Sequence, residues 1–393
     1  MSKLEKLIKE LCSDGIEYVQ LGEVLTYEQP TRYIVHDTKY DNNFDIPVLT
    51  AGQTFILGYT NERDGIYQSS YEQPVIIFDD FTTSFHWVDF DFKVKSSAMK
   101  MLKMKDASIS LFRYLYHAMK SIKYMPGDHS RQWIEKYSKF RIPLPPLPVQ
   151  SEIVRILDNF TELTAELTAE LTARKKQYEY YYNLLLDFEG QRKQEVQWMT
   201  LGEVCIVQSG GTPSKAKHEY WENGEIKWLG STVCQNQKKI ENVTNYISQL
   251  GLKHSSAKLM KKGTTLIALV GATIGKMAFL TFEAAINQNM AGIYPIDTSR
   301  LNPSYLFYAC GKLYGNFTRL SQGKLAMANL SFVRGLMIPI PPIEEQERIV
   351  SILDRFDTLC NDLTSGLPAE IEARRKQYEY YRDKLLTFKE AKA

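Results

Sequence analysis

The sequence predicts a mixed α/β protein built twice. Two globular regions are separated by two long antiparallel helices forming a coiled coil, in a pseudo-twofold and pseudo-circular arrangement. Three observations predict it. The run Ala173-Arg174-Lys175-Lys176-Gln177-Tyr178-Glu179-Tyr180-Tyr181 returns at Ala373–Tyr381 with one change, Lys175 against Arg375. Leu21-Gly22-Glu23-Val24 returns as Leu201-Gly202-Glu203-Val204. Each tyrosine-rich run is also preceded by a proline stop and a long apolar pattern, Ile142-Pro143-Leu144-Pro145-Pro146 in one copy and Ile338-Pro339-Ile340-Pro341-Pro342 in the other. Identity this long at separated positions marks a true internal repeat, which governs every other reading.

The elements follow in order. Leu4–Leu11 has helical spacing and ends before Ser13-Asp14-Gly15. Pro47–Thr50 and Pro74–Phe78 are short apolar runs that read as buried strands, and Asp89–Lys95 alternates as a half-buried strand does. Ile109–Ile122 has helical spacing. Pro143, Pro145, Pro146 and Pro148 then favour an extended exit, with a helix starting near Ser151. Its stripe of Ile153, Leu157, Phe160, Leu163, Leu167, Leu171, Tyr178, Tyr182 and Leu185 continues unbroken to Glu189-Gly190. About 38 residues make a rod roughly 57 Å long, which needs a helical partner.

In the second half, Ile226–Leu229 and Thr265–Val270 read as strands and Pro303–Leu313 as a helix. A second long helix starts near Glu344 and carries Leu353 and Phe356 before the break at Ser365-Gly366-Leu367-Pro368. Pro368 opens a new segment there, which bears Tyr378. The expected boundaries are 1–146, 147–190, 191–342 and 343–393, the last broken near 366–368. Gln346 lies 196 positions after Gln150, but Ala373 lies 200 after Ala173; the second copy has gained its extra residues around the break. Residues 3–11 stand before the first Leu-Gly-Glu-Val where 181–188 stand before the second. The N-terminal stub is therefore expected beside residues 380–388, which is what makes the chain pseudo-circular.

Composition excludes several classes. A hydrophobic content of 44% and a charged content of 24% are those of a globular protein, and a net charge of +2 announces no nucleic-acid binder, although a balanced total can hide basic faces. The five cysteines and six histidines are scattered without C-x-x-C spacing, so neither a metal site nor a disulfide framework is expected. No apolar run approaches the ~20 residues that span a bilayer, and the start lacks signal-peptide character. A reducing cytoplasm is the expected compartment.

Inside the first long helix, Thr-Ala-Glu-Leu occurs twice in tandem, at Thr164–Leu167 and Thr168–Leu171. Leucine every fourth residue drifts by about 40° per step, and each tetrad adds about 6 Å of rise. In a spacer between two reading heads, that length would set the gap between the sites they read. A chance low-complexity stretch is the alternative.

These motifs, in this order and in duplicate through the whole chain, resemble the specificity (S) subunits of type I DNA restriction-modification enzymes. Gly210-Gly211-Thr212-Pro213-Ser214, Gly271-Ala272-Thr273-Ile274-Gly275-Lys276, Asn287-Gln288-Asn289 and Gln346–Asp354 belong to the same resemblance, and the tetrads resemble the type IC subgroup. The resemblance implies a non-catalytic reader of double-stranded DNA; no cofactor is expected and, with no apolar run long enough to span a bilayer, no membrane association. Each globular region would be a target recognition domain for half of a split, asymmetric site. The helices would separate the halves and dock two methyltransferase (M) subunits, and through them the restriction (R) subunits that translocate DNA. Partner subunits would carry out adenine methylation or ATP-dependent restriction. Leu157, Phe160, Leu167, Leu171, Tyr178, Leu353, Phe356 and Tyr378 are the candidate coiled-coil and docking residues.

Base discrimination takes polar side chains on loops or helix ends that reach groove edges. The first region offers Gln53, Thr54, Thr82, Thr83, Lys95, Ser96, His129, Arg131 and Gln132. The second offers Thr212, Ser214, Lys215, Lys217, Lys238, Lys276, Asn287, Gln288 and Lys324. For each, a solvated surface group is the bland alternative.

Two rival classes compete: a DNA adenine methyltransferase in its own right, and a coiled-coil scaffold that binds protein only. Asn302-Pro303-Ser304-Tyr305 is similar to the Asn-Pro-Pro-Tyr motif of amino-methyltransferases, but Ser304 replaces a proline and no cofactor loop precedes it; a helix start is the competing reading. Gly271–Met277 is one residue short of a phosphate loop and has methionine where Ser or Thr would hold magnesium. Asp79-Asp80 reads as a turn or a cap.

Overall fold

The computed structural model describes residues 2–52, 54–188, 196–240, 243–320 and 327–391. The chain divides into two compact units, and neither coincides with one copy of the repeat. One joins Met1–Glu166 to Ile371–Ala393; the other is Leu167–Glu370.

In the first unit, Ser2 caps the helix Lys3–Leu11 in a reciprocal box with Glu5, which satisfies two amides at the helix start. Strand Tyr18–Gln20 pairs antiparallel with Arg141–Pro143. Beyond them, strands Leu25–Glu28, Met99–Met104, Val75–Asp79 and Phe85–Val88 form, in that order, an antiparallel sheet. Ile56–Thr60, Ile46–Leu49 and Lys93–Val94 form a second, mixed sheet. Helix Phe112–Ser121 packs Leu115, Ala118 and Met119 into a core with Leu21, Ile76, Phe78 and Leu102.

The second unit repeats the plan. Gln197–Thr200 pairs antiparallel with Met337–Ile340. Cys205–Ser209, Met290–Pro295, Thr265–Ala268 and Met277–Phe279 form the antiparallel sheet. Its companion has four strands rather than three: Tyr246–Ile247, Ile226–Leu229, Ala284–Ile286 and Lys258–Met260. Helix Pro303–Gly311 takes the place of Phe112–Ser121.

The duplicated tetrapeptide now has a physical reading. Leu21–Val24 and Leu201–Val204 are single helical turns with buried leucines. Glu23 accepts from the Gln20 amide at 2.8 Å and Glu203 from the Thr200 amide at 2.7 Å. A Cβ on Gly22 would lie 3.3 Å from Ser138, and one on Gly202 3.1 Å from Arg334. The leucine anchors, the glutamate caps, and the glycine admits a close neighbour.

Helix Leu147–Leu185, of 39 residues, begins in the first unit and ends in the second. It starts before Ser151 because Pro148 falls in its first turn, where the missing N–H costs nothing; Pro146 accepts the first amides, from Val149 and Gln150. It ends at Leu185, short of Glu189, which is outside the described residues. The second long segment is two helices, Ile343–Asn361 and Leu367–Leu385, with Pro368 in the first turn of the latter, as the Gly-Pro break predicts. Of the alternating run Asp89–Lys95, only Lys93–Val94 is strand. Asp91 turns its carboxylate to the Ser69 amide instead, at 3.0 Å. Helix Phe112–Ser121 starts later than Ile109 because Gln150 holds the Ile109 carbonyl and the Leu111 amide from the side.

Within each unit two helical segments run antiparallel. In the first, Leu386 shares a core with Ile153 and Leu157, and Phe160 stacks on Tyr381 at 5.3 Å between ring centroids. In the second, Leu185 and Leu186 share a core with Ile349 and Leu353, and Phe356 stacks on Tyr181 at 5.7 Å. The pairing is crosswise in the repeat. The front of the first copy's helix meets the tail of the second, and the reverse. The N-terminal stub lies beside residues 380–388 as expected: Leu4 and Ile8 face Leu385 and Phe388, the Ile16 amide donates to the Lys389 carbonyl, and the Ala391 amide returns to Ile16. Among the described residues no helix is long and apolar enough to cross a membrane.

Candidate nucleic-acid interface

In the first unit, three of the four polar segments singled out in the sequence converge on Asp80. Its amide donates to the Ala98 carbonyl at 2.8 Å, just after Lys95 and Ser96. Its carbonyl accepts from the Gln132 amide at 2.7 Å, and its Oδ1 accepts from the Trp133 amide at 2.8 Å. Asp79 closes the intervening turn by accepting from the amides of Phe81 and Thr82, which leaves Thr83 at a positive φ of 59°. Phe81 stacks on His129 at 4.7 Å. Thr82, Ser96, His129 and Arg131 are exposed on this surface and Lys95 is half-buried, whereas Thr83 and Gln132 are buried. The Gln132 amide is consumed internally, donating to Asp128 and Ser130 and accepting from Tyr124; it shapes the loop instead of facing outward. Thr54 is exposed on the neighbouring loop, where His86 holds the Gly52 carbonyl at 3.0 Å. Gln53 lies outside the described residues.

The second unit builds its loop on glycine. A Cβ on Gly210 would stand 1.8 Å from the Ile286 carbonyl oxygen and one on Gly211 1.9 Å from Ser256 Oγ, so only bare backbone fits. Thr212 Oγ1 donates to Gln288 Oε1 at 2.8 Å, and Asn287, itself buried, accepts from the Asn289 amide. Trp228 and Trp221 donate to the Gly211 and Ser214 carbonyls. Thr212, Ser214, Asn287 and Gln288 are thereby brought together. Ser214, Lys215, Lys217 and Gln288 are exposed, and Lys276 is half-buried. Lys238 is held elsewhere: it pairs with Asp354 of helix Ile343–Asn361 and lies over the Phe279 and Tyr308 rings. Lys324 lies outside the described residues.

What fastens globular region to helix is a glutamine in each unit. Gln150 accepts from the Leu111 amide at 2.8 Å and donates to the Ile109 and Pro145 carbonyls at 2.9 and 2.7 Å. Gln346 accepts from the Asn302 amide at 2.8 Å and donates to the Arg300 and Pro341 carbonyls at 2.9 and 2.8 Å. Both are fully buried and fully satisfied. Tyrosines repeat the theme, Tyr114 donating to the Pro143 carbonyl and Tyr305 to that of Pro339.

Eight residues on, the units diverge. Asp158 accepts from Arg113 and meets His117 Nε2, both at 2.8 Å, and His117 Nδ1 reaches the Tyr378 hydroxyl at 3.0 Å. Asp354 meets Lys238 and the Tyr308 hydroxyl. Burial holds His117 below the usual imidazole range, against the pull of Asp158. In the second unit, burial lifts Asp357 above the usual carboxylate range. Of the other helix residues named from sequence, Leu157 and Leu353 are fully buried, and Leu167, Leu171, Tyr178 and Tyr378 are half-buried. Sequence alone reads Asp80 as no more than a turn or cap residue and gives Lys100, Gln150 and Gln346 no structural role. For the glutamines a signal existed, the same residue at the same offset in both copies; for Asp80 and Lys100 there was none.

The enzymatic motifs have other occupations. Asn302 caps helix Pro303–Gly311, accepting from the Ser304 and Tyr305 amides, and Tyr305 is buried. Gly271–Thr273 is a tight turn that leads into strand Met277–Phe279, not into the helix a phosphate loop requires.

Two globular α/β regions, each clamped to a helical segment by the same glutamine and each carrying its own polar loop cluster, define an internally duplicated α/β protein. The type I restriction modification DNA specificity domain matches twice, at residues 13–174 and 193–373, and the chain belongs to that family as a non-catalytic DNA specificity subunit. It is 47% identical over 405 residues to the Escherichia coli type I restriction enzyme EcoR124I/EcoR124II specificity subunit, covering 99% of this chain and 97% of that one. Its fold is similar to that of a type I restriction-modification S subunit from M. genitalium, with a TM-score of 0.63 at 14% identity over 95% of this chain and 96% of that one. It is similar again to a chain from a type I restriction-modification assembly, with a TM-score of 0.55 at 19% identity over 95% and 97%.

Proposed function

We propose that each globular region, residues 1–146 and 191–342, reads one half of a bipartite asymmetric DNA site. Segments 147–190 and 343–393 set the spacing and dock two methyltransferase subunits, which in turn recruit the restriction subunits. Adenine methylation and ATP-dependent cleavage belong to those partners, in the cytoplasm. The observation that carries this reading is the crosswise stitching of the helices, Phe160 on Tyr381 and Phe356 on Tyr181. It gives each head an equivalent helical seat, as a split-site reader with two equivalent partners requires. Thr54, Thr82, Lys95, Ser96, His129 and Arg131 in one head, and Thr212, Ser214, Lys215, Lys217, Lys276 and Gln288 in the other, are the proposed contacts to bases and phosphates. Net charge near neutrality leaves much of the phosphate affinity to the partners.

The test is to exchange residues 20–140 for those of a relative with a different site and map methylated adenines genome-wide in a host carrying the complete system. One half-site is expected to change while the other stays. If both change, or neither, the assignment of one half-site to each head is wrong. Footprinting that shows no sequence preference with methyltransferase partners present would favour the scaffold reading.

A further inference from the structure

We infer that Asp80 is a positioning residue that aims Arg131 at a guanine in the half-site read by the first unit. This deepens the proposed function and rests on it. Asp80 and Lys100 are each 1% exposed, and their charges face each other at 3.2 Å across Oδ2 and Nζ. The amide, carbonyl and Oδ1 of Asp80 are each spent on backbone of the 98 and 132–133 segments, so the carboxylate cannot turn away. Its Oδ2 makes no hydrogen bond. That buried acceptor lies 3.7 Å from Arg131 Nη1, and the arginine side chain is 54% exposed.

The arrangement restrains one end of the guanidinium and leaves its other donors in solvent. Arginine has five N–H donors in a planar fork that matches the O6 and N7 acceptors of guanine in the major groove. A buried carboxylate 3.7 Å away biases the orientation of the fork by charge before binding, which lowers part of the ordering cost and favours the bidentate geometry over a diffuse phosphate contact. Because Oδ2 is hydrogen-bonded to neither Lys100 nor Arg131, a movement of under about 1 Å would close the Arg131 contact as DNA arrives. Exposed Thr82 and the Phe81–His129 stack border the same spot. Gln132, held internally, fixes the loop from the other side.

The test uses the full chain assembled with its methyltransferase partners and maps methylated sites for wild type, R131K and D80N. R131K keeps the charge and loses the fork. It is expected to relax one G·C pair in one half-site by about ten-fold or more in discrimination, with the other half-site intact. D80N is expected to relax the same pair and no other, which a loss of stability alone would not do. An unchanged motif in R131K overturns the proposal. So does uniform weakening across all sequences with a salt dependence shallower by about one ion, the mark of a phosphate contact. A folded D80N that leaves the motif intact removes Asp80 from the role. If D80N does not fold, R131K still decides the guanine assignment, since Arg131 lies outside the core. Failure of the two-headed reading itself shows separately, in the exchange of residues 20–140.

Discussion

The two units share their fastenings and differ in what surrounds them. Gln150 and Gln346 make the same three hydrogen bonds within 0.1 Å of each other, and Phe160 and Phe356 stack on the equivalent tyrosines. The carboxylates Asp158 and Asp354, at the same repeat position, have exchanged an Arg–His pair for a Lys–Tyr pair. Backbone groups at the joint can be satisfied in few ways, so the glutamine is retained. A half-exposed carboxylate accepts any of several donors, so its neighbours vary. The loops vary most: one unit organises them around a buried Asp–Lys pair, the other around a double glycine.

The sharpest way to break the equivalence is at the clamp. Gln150→Leu strands an amide and two carbonyls in the first unit, and Gln346→Leu does the same in the second. With about 1–3 kcal/mol for each unsatisfied buried group, each variant should lose about 3 kcal/mol or more. Hydrogen exchange should place the loss in the unit that carries the change. Equal losses spread over both units would deny that the clamps act independently.

A smaller difference is expected at the aromatic seats. Phe356 lies 6.0 Å from Tyr178 as well as 5.7 Å from Tyr181, whereas Phe160 has its ring contact with Tyr381. Phe356→Ala should cost about 2–3 kcal/mol, and Phe160→Ala less, because both rings are half-buried and fall below the range for full core truncation. Chemical denaturation of the two variants checks the order.

The smallest effect concerns acid. Burial lowers the His117 pKa, so the unfolded chain takes up the proton first, and the first unit should lose stability as pH falls below the unfolded value of about 6.5. Asp357 is shifted the other way, with a folded pKa raised by burial. The native second unit therefore takes up that proton first, and its stability should rise as pH falls through that folded pKa toward the unfolded value. Exchange protection between pH 7 and 4 should fall in the first unit relative to the second, and His117→Phe should flatten the first. Parallel curves would contradict both assignments.

The repeat made the architecture legible. Paired proline stops, the Leu-Gly-Glu-Val turns, the Gly-Pro break and the meeting of the chain ends all follow from residues whose local preferences are strong. Four prolines look alike in sequence, so the helix reads as starting near Ser151 within the expected segment 147–190, while Pro148 in fact occupies the first helical turn. Asp89–Lys95 alternates like a strand, yet Asp91 is diverted by the Ser69 amide. The loop surface was legible as a set of polar clusters but not as a geometry. Nothing local distinguishes Asp80, which gathers three of those clusters, from Asp79, which closes a turn, and Gln132 looks outward until its internal bonds to Tyr124, Asp128 and Ser130 are seen.

The glutamine clamps also make each unit separately observable. A side-chain amide whose hydrogens are both spent on buried carbonyls is shielded from solvent catalysis and exchanges slowly. The primary amides of Gln150 and Gln346 should thus give two slowly exchanging pairs of nuclear magnetic resonance proton signals, one pair per unit. Each would persist for as long as its own joint stays shut, so the opening of one head could be timed without any label attached to the other.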